Sequence, residues 1–147
     1  MDKSPKYVAM CAKAAEIQTR WRPDHGDFYQ TENGQIKCWL THSRQPQRFK
    51  KGVGIFVETG GLIQLTRYIW LPRQDQLIEL SQIPGRRYEN IVQDFFDWTK
   101  TIYGETETLP GRLFRSMEQI WLAYVMQKKF AKLWDESRWT GIIELIG

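Results

Sequence analysis

The chain has 147 residues, of which 41% are hydrophobic, 26% charged and 14% aromatic, with seven Trp. That is material for one compact domain spanning 1–147, and it excludes intrinsic disorder; the six Pro and eleven Gly are scattered, which excludes collagen-like and linker compositions. The net charge is +4 but uneven: residues 1–73 carry 12 basic and 6 acidic side chains, residues 74–147 carry 9 and 11.

A basic excess confined to the first half favours an acidic partner there, whether nucleic acid, anionic lipid or an acidic protein, although solubility alone asks for a charge of this size. Cys11 and Cys38 form no C-x-x-C pair, so reduced thiols in a cytoplasmic protein are expected. The stretch after Met1-Asp2-Lys3-Ser4-Pro5-Lys6 is too polar for a signal peptide. No apolar run approaches the roughly 18 residues of a membrane span, so a membrane location is not expected.

Ser4-Pro5 is a capping hydroxyl followed by a proline whose φ suits the first helical position, and Tyr7, Cys11, Ala14, Gln18 and Trp21 recur at helical spacing. A first helix is predicted over 5–20, stopped by Pro23. Asn33-Gly34 between two alternating runs predicts a hairpin with a two-residue type I′ turn. That loop length would set Phe28 opposite Trp39, Tyr29 opposite Cys38 and Thr31 opposite Ile36. Residues 43–52 read as a polar, basic connection. Val53–Glu58 and Leu62–Leu65 then form a second hairpin around Gly60-Gly61.

Tyr68–Leu71 is extended, and Pro72 is placed to open a short helix to about Leu80. After Pro84-Gly85, the apolar set Tyr88, Ile91, Val92, Phe95, Phe96, Trp98 and Ile102 faces away from Glu89, Gln93, Asp94, Asp97 and Lys100. This predicts an amphipathic helix over 88–103. Ser116 with Gln119 has capping-box spacing and opens a last helix to about Trp134, leaving the tail from Asp135 ambiguous. One helix, about four strands and then three helices is a segregated order. It predicts an α+β domain in which an antiparallel sheet of two hairpins packs against helices 88–103 and 115–134, with helix 5–20 on another edge or face.

No motif names a reaction. Cys38 and His42 on one extended strand would stand about 13 Å apart, too far to share an ion, and only two His accompany the two Cys, so no metal site is expected. Gly52-Val53-Gly54 lacks the third glycine of a dinucleotide fingerprint, and Lys50-Lys51-Gly52 lacks phosphate-loop spacing, so no cofactor is expected either. There is no G-x-S-x-G elbow; the serines read as caps or loop residues. Catalytic residues are therefore not assigned, and the chain reads as non-enzymatic sooner than as an enzyme, which would require a concave pocket gathering His25 or His42 with carboxylates. Trp98, Trp121 and Trp134 sit at helical positions beside apolar neighbours and read as core, whereas Trp39 and Trp70 are unsettled. Lys128, Lys129 and Lys132 complement the dipole at the end of the last helix.

The basic segment is the binding candidate: Arg44, Arg48, Lys50 and Lys51 around Phe49, joined by Arg67, Trp70 and Arg73 beside the sheet, would hold phosphates without reading bases. In Arg73-Gln74-Asp75-Gln76, free N–H groups at a helix start could hold an anion, while Asp75 pairing with Arg73 explains the same residues locally.

Two stretches, Trp70-Leu71-Pro72-Arg73-Gln74-Asp75-Gln76-Leu77 and Ser116 through Met126, resemble segments of small proteins encoded by phages and prophages of Gram-positive bacteria. The resemblance implies a genomic setting and transfers no catalytic residue. Taken with the basic excess of the first half, that setting fits a phage accessory protein that binds nucleic acid through the 43–52 loop and neighbouring sheet, or alternatively a module that binds a host or phage protein through exposed aromatics around Trp39 or Trp70. Neither reading sets an oligomeric state.

Overall fold

The computed structural model describes residues 1–40, 55–58, 61–64, 68–103 and 113–143. The fold is α+β with antiparallel strand pairing throughout the described residues. The chain divides into two compact units, one of Lys3–Pro72 and one of Met1–Asp2 with Arg73–Gly147.

In the first unit, helix α1 spans Pro5–Lys13, and the Ser4 side chain accepts from the Tyr7 N–H at 3.2 Å, as the capping pair requires. The predicted helix to residue 20 is broken at Ala14, whose ψ of 71° leaves the helical region; α2, Ala15–Gln18, follows as a single turn. The break lets Tyr7, Cys11, Ala14 and Ile17 all be fully enclosed. Strands β1 (Phe28–Gln30), β2 (Ile36–Cys38) and β5 (Ile69–Leu71) form a sheet in the order β2-β1-β5, with α1 packed on β5. Strands β3 (Ile55–Glu58) and β4 (Gly61–Gln64) pair as a separate hairpin, so the two expected hairpins lie in different sheets.

The first hairpin forms one residue out of the expected register: Phe28 faces Cys38, Tyr29 faces Lys37 and Gln30 faces Ile36. Its loop has three residues, not two. The Gly34 N–H donates to the Thr31 carbonyl, the Thr31 N–H donates to the Gln35 carbonyl at 2.8 Å, and positive φ in this loop falls on Gly34 alone, at +84°. A β-turn followed by a left-handed glycine satisfies the same Asn-Gly signal with one more residue. The Thr31 hydroxyl favours it, accepting from the Gln35 N–H and donating to the Asn33 side chain.

Beside the hairpin, the buried carboxylate of Asp27 accepts from the Trp21 indole N–H and the Asp24 N–H, each at 3.0 Å. Trp21, Tyr29, Trp39 and Trp70 enclose one another around it. The free edge of β5 is closed by a side chain: Gln18 accepts from the Trp70 N–H at 2.8 Å and donates to the Trp70 and Cys11 carbonyls at 3.0 Å.

The second unit is built on helix α5, Met117–Phe130, opened by Ser116 accepting from the Gln119 N–H. Residues Trp121–Met126 are buried without interruption, so this helix is central, with α3 (Gln74–Leu80) and strand β6 (Lys132–Trp134) against it. Helix α3 begins two residues after Pro72, which precedes the cap Arg73 instead of opening the helix. The last helix ends four residues sooner than predicted. Ala131 adopts the left-handed conformation, φ 52° and ψ 44°, and Lys132–Trp134 turn back as a strand paired with β7, Trp139–Gly141. Lys128 and Lys129 remain in the last helical turn while Lys132 belongs to the strand. The predicted helix 88–103 is present as α4, Tyr88–Tyr103, and it packs on α5. In its own unit α4 therefore meets a helix, whereas the cover of the three-stranded sheet within the first unit comes from α1.

Candidate interaction surface

Of the residues expected to bind nucleic acid, Arg44, Arg48, Phe49, Lys50, Lys51 and Arg67 lie outside the described residues. Trp70 lies within the core: it is 5% exposed, with its ring stacked on Trp21 at 6.3 Å. Trp39, the other aromatic on which an exposed patch was expected, is 4% exposed and meets Tyr29 edge-on. Neither ring is therefore itself displayed to a partner.

Arg73 is engaged locally. Its guanidinium donates to both Asp75 oxygens, at 3.1 and 3.3 Å, and its backbone N–H donates to the Gln76 side chain at 3.0 Å. The run Arg73-Gln74-Asp75-Gln76 is thus a helix start satisfied by its own side chains. His25 is exposed, Cys11 buried and Cys38 exposed. Among the described residues no three His, Cys, Asp or Glu side chains gather as a metal site would require, and no helix is long and apolar enough to cross a membrane.

The feature that sequence reasoning assigned to the core, and the structure does not, is half of α4. At 100° per residue its apolar set spans an arc of about 160°, wider than the roughly 100° stripe that one core-facing side needs. The structure divides that arc. Ile91, Phe95 and Trp98 are buried, with Phe95 stacked face to face on Trp121 at 3.8 Å between ring centres and 5° between planes. Trp98 meets Tyr124 edge-on, and its indole N–H donates to the Gln127 side chain at 2.7 Å. The aromatic pairing takes up Phe95 and Trp98 on this side of the helix. Tyr88, Val92 and Phe96, each one turn from the next, face outward, 54%, 36% and 53% exposed.

Several polar groups on the side of α4 away from this face are engaged with one another. Arg86 pairs with Asp94 at 2.5 Å, and Gln93 donates to Asp97 at 3.0 Å. Burial raises the Tyr124 phenol above its usual value; the Asp94 carboxylate adds to the effect and the Arg86 guanidinium opposes it. Glu89 and Lys100 are both exposed, and they fall on one flank of the stripe, near its two ends. The site is thus a convex apolar ridge with one acidic and one basic end. It offers area and charge to a partner.

No protein-family model, no curated protein and no solved structure matches this chain.

Proposed function

We propose that the chain is a non-enzymatic interaction module that docks another protein through the outward face of α4. The observation that carries this reading is the row of Tyr88, Val92 and Phe96, apolar side chains held in water at one-turn spacing by a helix whose other face is anchored by the Phe95–Trp121 stack. Large aromatics displayed on a rigid element are the usual anchors of protein interfaces, because their area is gained at little cost in side-chain entropy. The setting implied by the resemblance to phage and prophage proteins makes a host or phage protein a fitting partner. A photo-crosslinking phenylalanine analogue placed at Phe96 should capture a partner protein in extracts of the source cells; the same group at Asn90, exposed on the opposite side of α4, should not. Excess wild-type chain should compete, and a Tyr88→Ser/Phe96→Ser chain should not. Equal capture from both positions would refute the reading.

The uneven charge favours a second reading, nucleic-acid binding by the basic segment 43–52. It is supported by the 12 basic against 6 acidic side chains of residues 1–73. Affinity should then fall steeply as salt rises, and Lys50→Ala/Lys51→Ala should flatten that slope by about two phosphate contacts. Binding that ignores salt rules it out.

A further inference from the structure

Resting on the reading of α4 as a docking face, we infer that its partner is a second copy of this chain, with the two α4 helices packed antiparallel across a two-fold axis. The charges flanking the ridge point to this occupant. In an antiparallel pair related by a two-fold, each flank of one helix meets the same flank of the other, whereas a parallel pair brings opposite flanks together. Glu89 and Lys100 are exposed, opposite in sign, and lie on one flank near the two ends of the ridge. Antiparallel pairing brings Glu89 alongside Lys100 of the second copy twice over. The same axis, passing between Val92 and Phe96, sets each Val92 against Phe96 of the second copy, so a small side chain faces a large one. A self-complementary patch of this kind needs no further partner to be covered.

The area sets the strength. An aromatic side chain has roughly 150–250 Å² to bury, so two half-exposed rings and one Val offer roughly 250 Å² per copy. A standard interface buries roughly 800 Å² per partner. The dimer is therefore weak, with a dissociation constant on the order of 10⁻⁵ to 10⁻⁴ M, and its population changes with concentration.

Sedimentation velocity on the full chain, from about 10 μM to about 1 mM, should show a concentration-dependent shift from monomer to dimer across that range. Val92→Asp should weaken self-association by at least about 10-fold with the circular dichroism unchanged, since the side chain is exposed. Glu89→Lys alone and Lys100→Glu alone should each weaken it by about 5-fold, because each places like charges together twice. Mixing the Glu89→Lys chain with the Lys100→Glu chain should restore association, since every cross-pair is then attractive. A role in folding alone could not produce that rescue. A chain that stays monomeric to about 1 mM overturns the dimer, and so does association that neither the single swaps nor their mixture alters. In either case, capture at Phe96 of a protein other than this chain, competed by wild type alone, leaves the docking face standing with a different partner; loss of that capture as well removes both.

Discussion

The amide of Gln18 makes the two bonds to Trp70 that a neighbouring strand would make, and removing it should be costly out of proportion to its partial exposure. In an antiparallel pair a residue directs both its N–H and its C=O either toward its neighbour or away from it. Trp70 directs both toward Gln18, which accepts from the N–H at 2.8 Å and donates to the carbonyl at 3.0 Å while also donating to the Cys11 carbonyl at 3.0 Å. Three bonds at about 1 kcal/mol each, with partners left partly buried, make Gln18→Ala cost about 2–3 kcal/mol, a large part of the roughly 5–15 kcal/mol that holds an ordinary domain.

Gln18→Glu is the sharper test. One carboxylate oxygen can still accept from the Trp70 N–H, but the other replaces a donor and faces the Cys11 and Trp70 carbonyls. At neutral pH it should be at least as destabilising as alanine. The carbonyls raise the folded-state pKa of this carboxyl, so the destabilisation should be relieved as pH falls through that raised value and the acid regains a donor. Urea unfolding gives the free energies, and amide exchange at Trp70 reports the edge itself. Unchanged protection of the Trp70 N–H in Gln18→Ala would show that the edge is closed by something else.

Adjacent aromatics on α4 should respond in opposite ways: Phe95→Ala loses the Trp121 stack and should cost about 3–5 kcal/mol, while Phe96→Ser should stay within about 0.5 kcal/mol in the same thermal melts. Ala131→Gly should stabilise by about 0.5–1 kcal/mol, because the helix ends on a left-handed residue with φ 52° and glycine removes the Cβ strain; a lower melting temperature contradicts this. The Asp135 carboxyl is held well below its usual 3.8 by the Ser137 hydroxyl and the Ser137 and Arg138 N–H groups, with Thr140 assisting. Since the folded value is the lower one, this hairpin's contribution is complete above the usual carboxylate range and lost as pH falls below it. Asp135→Asn should flatten that acid limb in Trp fluorescence, to which the Trp134–Trp139 pair contributes.

Local chemistry was legible wherever a few neighbouring residues settle the structure. Ser4-Pro5 and Ser116 with Gln119 mark helix starts because their bonds reach three residues and no further. The errors have the same length scale from the other side. Ala131 ends a helix in a conformation that alanine seldom adopts; what draws the chain there is the pairing of Lys132–Trp134 with Trp139–Gly141, which no capping signal announces. The break at Ala14 is equally silent in the sequence and follows from seating Ile17 and Gln18 against their own partners. The hairpin register turned on one residue, because Asn-Gly suits a two-residue loop and also a three-residue loop that ends in glycine.

The candidate surface was illegible for a different reason. Periodicity reports which side chains avoid water in isolation, and both a core face and a docking face satisfy it. Phe95 and Phe96 are the same residue type one position apart, and only the presence of Trp121 at 3.8 Å from one of them assigns that one to the core. The width of the apolar arc was the one available signal: a stripe of about 160° exceeds what a single packing partner can cover, which asks for a second. Trp39 and Trp70 teach the converse. Each stands in an alternating run with no visible need for cover, and each is enclosed, Trp70 against Trp21 from the far side of the hairpin in sequence and Trp39 against Tyr29 of its own hairpin. Exposure is thus decided by the supply of partners around a site. On α4, among the described residues, Phe95 and Trp98 are enclosed by such partners and Tyr88, Val92 and Phe96 are not, so their ridge is where a partner has apolar area to gain.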